Sequence, residues 1–262
     1  MILRVLHALR VYAVLLYGFG LLGVCSFAWS LFALPMRVLL PLPRARALGR
    51  RVVAGGFRFY LDALQASGGF RFELSALDAL RDAGPLILAP NHPSLLDAVM
   101  VLSRAPQAAC VLKSPLLGSV FFGAGARLAD YIGNQSPVDM VRRSVAELRR
   151  GGQLLLFPEG TRTTRAPVSP FRGAISLIAR EAGVPVQTVF IEASSGFLGK
   201  GWPLMGRPVI PVRYRVRLGR RFDPPRDVHR FMLDLEQYFA RELQARPEAP
   251  PALPAHVESR PA

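Results

Sequence analysis

The longest apolar stretch of the chain lies close to its N-terminus. Residues 11–34 contain no charged side chain, and Pro35 follows them directly. As an α-helix this stretch would be about 36 Å long, more than the roughly 30 Å hydrocarbon core of a bilayer. Glycines in its middle weaken the helix, so the pattern allows both a tilted single span and a half-inserted helical hairpin. We therefore predict a membrane-anchoring segment over residues 1–40.

Shorter units follow the anchoring segment. Residues 41–69 are basic with apolar positions at helical spacing, which predicts an amphipathic connector able to lie on lipid headgroups. Over residues 70–246, short apolar runs alternate with stretches of helical periodicity, a pattern typical of an α/β domain. Residues 247–262 are dominated by proline and alanine and are predicted to be disordered.

The apolar runs place the strands at residues 70–73, 86–90, 108–113, 131–132, 153–157, 185–192 and 208–217. The last of these alternates like an exposed edge strand, with arginines on one side. Helices are predicted at residues 49–65, 75–83, 96–103, 136–150, 172–182 and 228–245. The helix that begins at Ser136 has a capping box and a proline at its first position. Its predicted apolar face consists of Val138, Val141, Val145 and Leu148.

Charge adds one feature to this pattern. The chain has 33 Lys and Arg against 18 Asp and Glu, a net charge of +15, and its two lysines are Lys113 and Lys200. Such an excess suggests nucleic acid, an anionic membrane surface or a phosphorylated substrate as the partner. The accompanying apolar excess favours the membrane. Because the arginines are scattered without a recognition motif, no nucleic-acid partner is expected.

Two further signals concern the compartment. Five arginines follow the apolar run within residues 37–51 and two precede it, an asymmetry that predicts a cytoplasmic location for the following domain. Cys25 and Cys110 both lie in apolar segments, which indicates neither a disulfide nor a metal site.

The first candidate for chemistry follows the strand at residues 86–90. Pro93 keeps His92 out of the helical region, at the carboxyl end of a strand, where open α/β sheets bind their ligands. Asp97 lies five residues on, so the pair fits a general base with its orienting acid. The alternative is structural, because Ser94-x-x-Asp97 also fits a capping box in which the carboxylate accepts from helix amides.

The second candidate is the stretch Phe-Pro-Glu-Gly-Thr-Arg-Thr at residues 157–163, again after a predicted strand. Gly160, Thr161 and Arg162 can present amides, a hydroxyl and a guanidinium to an anion. Arg172, ahead of the next helix, can supply another cationic arm. The alternative is a solvated turn that requires glycine for its geometry.

Together the two motifs resemble the glycerophospholipid acyltransferase family, whose best-known members are 1-acylglycerol-3-phosphate acyltransferases. The resemblance spans roughly residues 70–218. It implies a mixed central sheet flanked by helices, and it likens the apolar N-terminal segment to the membrane-embedded helical motif of bacterial members. It also implies a location in the bacterial cytoplasmic membrane. By the same resemblance the catalytic residues are His92 and Asp97, and the substrate-binding residues are Asn91, Glu159, Gly160, Thr161 and Arg162.

One block departs from the family pattern. Where the family commonly shows an aromatic-isoleucine pair followed by Asp-Arg, this chain has Tyr131-Ile132-Gly133-Asn134. Asn134 cannot neutralise a phosphate, although Lys113 or Arg172 can compensate. The expected acceptor is 1-acylglycerol-3-phosphate. Two alternatives stay open: an acyltransferase of a specialised lipid or aryl-polyene-type pathway, which residues 196–204 resemble, and a catalytically dead membrane-surface binding protein.

The resemblance also implies a mechanism. His92 would remove the proton of an acceptor hydroxyl, and the oxygen would attack the thioester carbonyl of acyl-CoA or acyl carrier protein. Because a thioester is already activated, no metal and no cofactor are expected. The expected partners are membrane lipids, the thioester donor and a lysophospholipid acceptor.

Overall fold

The structure is a computed structural model that describes residues 2–203 and 206–244. It begins with two long helices, α1 (Ile2–Leu39) and α2 (Leu42–Ala66). They run antiparallel, since Gly18 of α1 packs near Leu64 at the far end of α2. The predicted disordered tail, residues 247–262, lies outside the described residues.

Strands and helices then alternate, with one 3₁₀ turn at Ser75–Leu80. The strands are β1 (Phe70–Glu73), β2 (Ile87–Pro90), β3 (Ala108–Leu112), β4 (Ile132–Gly133), β5 (Gln153–Leu155), β6 (Val186–Ala193) and β7 (Val212–Phe222). The helices are α3 (Asp97–Arg104), α4 (Ser114–Leu117), α5 (Gly123–Leu128), α6 (Pro137–Arg149), α7 (Ala174–Ala182) and α8 (Val228–Gln244).

The seven strands form one sheet in the order β1-β7-β6-β2-β5-β3-β4. All neighbouring pairs are parallel except β6 and β7, which are antiparallel. The predicted mixed sheet is therefore confirmed. Because β2, β3 and β5 are parallel, their carboxyl ends lie on one edge of the sheet. The sequence predicts the catalytic residues at this edge, and we therefore call it the catalytic edge.

The sheet separates two apolar clusters. In the central strand β2, Leu88 contributes to one cluster while Ile87 and Ala89 contribute to the other, as the two-residue period of a strand requires. The Leu88 side also holds buried residues of α1, α2 and α3. The opposite side is covered by α6, α7 and α8. A parallel strand buried on both faces needs apolar residues at every position, which explains the unbroken apolar run of β2.

The N-terminal hairpin packs on the domain along its length. α2 lies against α3, and α1 lies against α5. Gly49 of α2 approaches the backbone of α5 so closely that a Cβ there would be 2.6 Å from the Ala129 amide nitrogen. The other face of α1 is exposed and apolar, and α1 is long and apolar enough to cross a membrane. This face indicates association with a membrane.

Buried charges fasten α2 to the domain. Arg50, which is buried, donates from Nε to the Ala129 carbonyl at 2.9 Å and from Nη1 to Glu147 Oε1 at 2.5 Å. Glu147 also accepts from Arg150. Burial alone would raise the pKa of Glu147, but the hydrogen bond and charge of Arg50 hold it below its usual value. Asp130 forms further ion pairs with Arg46 and Arg143.

Pro35 lies inside α1, which continues to Leu39. Two predictions of local structure are wrong. β7 is not an edge strand, because β1 pairs with its outer side. On α6, Val145 and Leu148 are buried as predicted, but Val138 is largely exposed. The other buried residues of α6 are Met140, Ser144 and Glu147.

Candidate active site

Asn91 fixes the backbone at the end of β2. Its Nδ2 donates to the Ile191 carbonyl at 2.9 Å, and its Oδ1 accepts from the Ile191 amide at 2.7 Å. These two bonds extend the pairing of β2 with β6 by one residue through a side chain. Asn91 therefore holds the chain in place immediately before His92.

His92 and Asp97 form a hydrogen-bonded pair at the catalytic edge. His92 Nδ1 lies 2.8 Å from Asp97 Oδ2, and the same oxygen accepts from the Ser94 amide at 2.8 Å. The Asp97 carboxylate thus fits both the catalytic and the capping interpretation of this motif. It orients the His92 ring, and it accepts from the Ser94 amide in the turn before α3. Asp97 is fully buried, whereas His92 is partly exposed.

The environment of Asp97 makes its charge costly. Burial raises the pKa of Asp97 to about 6 from 3.8, although the hydrogen bond and charge of His92 act in the opposite direction. Its second oxygen, Oδ1, is buried without a hydrogen-bond partner among residues 2–203 and 206–244. The carboxylate is therefore held ionised mainly by His92 and the Ser94 amide.

Phe157 fixes the plane of the histidine ring. The two rings stack with centroids 3.9 Å apart and planes 22° from parallel. With Nδ1 bonded to Asp97, the ring is constrained at both its edge and its face. Nε2 has no hydrogen-bond partner in the described part of the chain, so it is the nitrogen available to a substrate.

Glu159 ties the second motif to the first. This buried carboxylate accepts from the His92 amide at 3.0 Å, from the Thr163 hydroxyl at 2.8 Å and from the Ser169 amide at 2.8 Å. In return, the Thr163 amide donates to the His92 carbonyl at 2.8 Å. Both carboxylate oxygens of Glu159 thus accept hydrogen bonds from groups of the protein itself.

The other members of the second motif lie on one loop. Gly160 has φ of +67°, a left-handed conformation that favours glycine, and the side chain of Arg172 lies against it. Thr161 is half-buried beside it. Arg162 Nη1 donates to the carbonyls of Leu198 and Gly199 at 2.9 and 2.7 Å. Arg162 therefore fastens the segment between β6 and β7 to this loop.

Two cationic side chains stay exposed near this edge. Lys113 follows β3, and Arg172 precedes α7. Asn134 lies close to Lys113 in space, because its Oδ1 accepts from the Ser114 amide at 3.2 Å. The residue that replaces the family arginine thus caps the first turn of α4.

A small apolar crevice lies between the hairpin and the segment after β6. Its walls include Gly18 of α1, Leu64 of α2, Leu198 and Leu96, which directly precedes Asp97 in the sequence. Leu198 has φ of +57°, and its carbonyl accepts from the Leu95 amide at 3.2 Å. Motif spacing alone did not indicate these residues, because the crevice combines segments that are distant in the sequence.

The comparisons with known proteins agree with this geometry. The acyltransferase family model matches residues 71–192. A 1-acyl-sn-glycerol-3-phosphate acyltransferase of Pseudomonas aeruginosa is 26% identical over 83% of this chain and 83% of its own length. A lyso-ornithine lipid O-acyltransferase of the same organism is 34% identical over 41% of this chain and 43% of its own length.

A chloroplastic 1-acyl-sn-glycerol-3-phosphate acyltransferase of Brassica napus is 26% identical, but the match spans only 36% of its length. The crystal structure of the 1-acyl-sn-glycerophosphate acyltransferase PlsC from Thermotoga maritima has the same fold, with a TM-score of 0.71 and 20% identity. It covers 90% of this chain and 96% of its own. Residues 71–192 thus match the acyltransferase family, and the described part of the chain has the fold of PlsC.

Proposed function

We propose that this protein is a membrane-bound O-acyltransferase that moves a fatty acyl group from an acyl thioester to the hydroxyl of a lysophospholipid. The observation that carries this proposal is the 2.8 Å contact between His92 Nδ1 and the buried Asp97, which leaves Nε2 available at the catalytic edge. The acceptor that family membership favours is 1-acylglycerol-3-phosphate.

The chemistry uses His92 as the general base. Nε2 takes the proton of the acceptor hydroxyl while the oxygen attacks the thioester carbonyl. As the tetrahedral intermediate collapses, the C–S bond breaks and the thiolate takes the proton back from Nε2. Asp97 holds the Nδ1–H tautomer and stabilises the imidazolium that exists between the two steps.

The acceptor headgroup would lie near the exposed cations of the catalytic edge. Lys113 and Arg172 are free of ion pairs among the described residues, so each can neutralise a phosphate without breaking a bond. Glu159 and Arg162 are engaged with the protein, and their predicted contact with the acceptor stays a prediction. Their contacts support an additional role in shaping the walls of the site.

The membrane would supply the acceptor. The apolar crevice between α1, α2 and Leu198 is narrow, with a volume of about 10 Å³, so an acyl chain could enter it only if its walls moved apart; the exposed apolar face of α1 would lie in the lipid. With arginines concentrated after α1, the domain would face the bacterial cytoplasm, where acyl-CoA and acyl carrier protein are found.

The test is acyl transfer by the full chain reconstituted in liposomes. Acyl-CoA and acyl carrier protein donors are each offered with lysophosphatidic acid. A His92→Ala variant should lose about 10²- to 10⁴-fold in rate while remaining folded. The matched control is His229→Ala, because His229 is exposed on α8, away from the site. Undiminished turnover by folded His92→Ala would refute the mechanism. Absence of transfer from both donors, to lysophosphatidic acid and to the second acceptor described below, would favour the binding-protein alternative.

A second acceptor class has an observation of its own. The similarity to the lyso-ornithine lipid enzyme reaches 34% identity, and Asn134 stands where the family commonly has an arginine. A lysolipid without phosphate would need less positive charge at this edge. Offering lyso-ornithine lipid in parallel decides between the two, because the preferred acceptor should show the larger kcat/KM in the same liposomes.

A further inference from the structure

A short segment of the domain exposes apolar side chains next to α1. We call residues 116–122 the apolar loop; it connects β3 to α5 through the end of α4. Four large apolar side chains in it are exposed, and Val120 reaches 71% exposure. Those side chains belong to Leu116, Val120, Phe121 and Phe122. Soluble proteins seldom leave such a concentration of apolar surface in water without a binding role.

The apolar loop is continuous with the exposed face of α1. The rings of Phe27 and Phe121 lie 6.3 Å apart, and Val24 and Leu31 are exposed on the same stripe of α1 as Phe27. Ser30, a buried hydroxyl in an otherwise apolar helix, donates to the Phe121 carbonyl at 2.8 Å. These contacts join the loop and the helix into one apolar surface.

Five of the seven backbone amides of the apolar loop donate to local acceptors. Ser119 provides three local hydrogen bonds: its Oγ accepts from the amides of Phe121 and Phe122, and its carbonyl accepts from the Gly123 amide. The Gly118 and Ser119 amides donate to carbonyls of α4. The Leu117 carbonyl accepts from the Arg127 guanidinium. Internal pairing of this kind is what a non-helical segment needs before it can enter hydrocarbon, where water cannot replace a missing partner.

Charge at the start of the loop also fits a lipid surface. Lys113 is exposed one turn before Leu116, at the level where anionic headgroups would lie if the apolar side chains were inserted. The loop follows β3, so it leaves the sheet at the same edge as His92. Insertion of this loop would therefore bring the catalytic edge to the bilayer surface.

We propose that the apolar loop is a second membrane-insertion element, which enters the same leaflet as α1 and sets the orientation of the catalytic edge. The proposal rests on the proposed membrane attachment of α1 and adds a lipid contact made by the catalytic domain itself. The occupant of this surface is lipid; another protein or a second copy of the chain is the alternative that the experiment excludes.

The experiment places an environment-sensitive bimane label on single cysteines of the full chain, with Cys25 and Cys110 replaced by alanine. Label positions are Val120 in the loop, Val24 on the outer face of α1 and Val138 on α6. Val138 is the matched control, since it is a valine of 77% exposure on a different part of the domain. Each protein is checked for acyl transfer and reconstituted in liposomes of brominated phospholipid.

We expect bromine quenching of the Val120 label comparable to that of the Val24 label, and little quenching at Val138. Quenching at Val24 alone would overturn the proposal while leaving the attachment of α1 intact. A blue-shifted but unquenched Val120 label would overturn it in favour of a protein partner. Leu116→Cys provides a second probe if the Val120 variant is misfolded, and an unquenched label there contradicts the proposal equally.

Discussion

At the scale of single residues, Asp97 combines its hydrogen bond to His92 with an unfavourable burial. Because its pKa is about 6 in the folded protein and near 3.8 otherwise, the folded state binds the proton more tightly than the unfolded state. The contribution of this group to stability is greatest below pH 4 and declines as pH rises towards 6. At neutral pH the ionised carboxylate therefore destabilises the fold.

Asp97→Asn removes this titration. We expect the free energy of unfolding of the wild type, relative to Asp97→Asn, to fall by about 2 kcal/mol between pH 4 and pH 7, because each unit of pKa shift corresponds to about 1.4 kcal/mol and part of the effect is already present at pH 4. Denaturant unfolding in one detergent at both values of pH measures the difference. Asp139→Asn, at an exposed ion pair on α6, is the control and should show almost no such change. A pH-independent difference for Asp97→Asn would contradict the assignment.

Arg162 leads to a prediction about which substrate is affected. Hydrogen bonds that involve a charged group contribute about 1.5–3 kcal/mol, and Arg162 makes two to backbone carbonyls of the crevice wall. Arg162→Ala should lower kcat/KM about 10- to 100-fold for acceptors with and without phosphate alike. Arg165→Ala, an exposed arginine of the same loop, should have little effect. A loss confined to phosphate acceptors would show instead that Arg162 grips the headgroup.

The sequence was sufficient to predict that His92 and Asp97 meet, because their proximity depends on five residues of local chain. It could not show that Glu159 holds the His92 amide, since that contact joins loops from two different strands. Nor could the sequence show that the Arg162 guanidinium donates to the carbonyls of Leu198 and Gly199. Contacts between segments distant in sequence depend on how the strands are ordered in the sheet, which no motif encodes.

At the scale of elements, close approach of α2 to α5 depends on one glycine. A Cβ at Gly49 would lie 2.6 Å from the Ala129 amide nitrogen, so backbone would have to move. Gly49→Ala should lower the free energy of unfolding by about 1–3 kcal/mol. Gly56→Ala, in the same helix and without neighbours at its Cβ position, should raise it by about 0.5–1 kcal/mol. Thermal unfolding in one detergent compares them; equal changes would show that α2 is free to shift.

The apolar runs predicted where strands lie in the sequence, but they did not predict which strands are neighbours in the sheet. β2 and β5 were predicted because buried parallel strands need apolar residues at every position. The alternation of polar and apolar residues in β7 predicted an edge strand. In the structure β1 pairs with its outer side, so β7 has two neighbouring strands. For α6, hydrophobicity predicted Val138 on the buried face, whereas the structure exposes Val138 and buries the charged Glu147.

At the scale of the whole molecule, the Arg50–Glu147 pair connects the N-terminal hairpin to the far helix layer. Glu147→Gln leaves the buried Arg50 charge uncompensated, which typically costs about 3–5 kcal/mol. Asp139→Asn, the exposed pair used above, should cost no more than about 1 kcal/mol. Denaturant unfolding gives both values. Restored stability in the Arg50→Met/Glu147→Met double variant would support this reading, and a small effect of Glu147→Gln would contradict it.

The N-terminal hairpin also contributes to the walls of the apolar crevice. Gly18 of α1 and Leu64 of α2 form walls of the crevice beside Leu96. Trimming the chain to a water-soluble catalytic fragment would therefore open the cavity to solvent on one side. If the crevice receives the acyl chain under the proposed function, the N-terminal hairpin sets both membrane attachment and acyl-chain preference, so divergence in either one is constrained by the other.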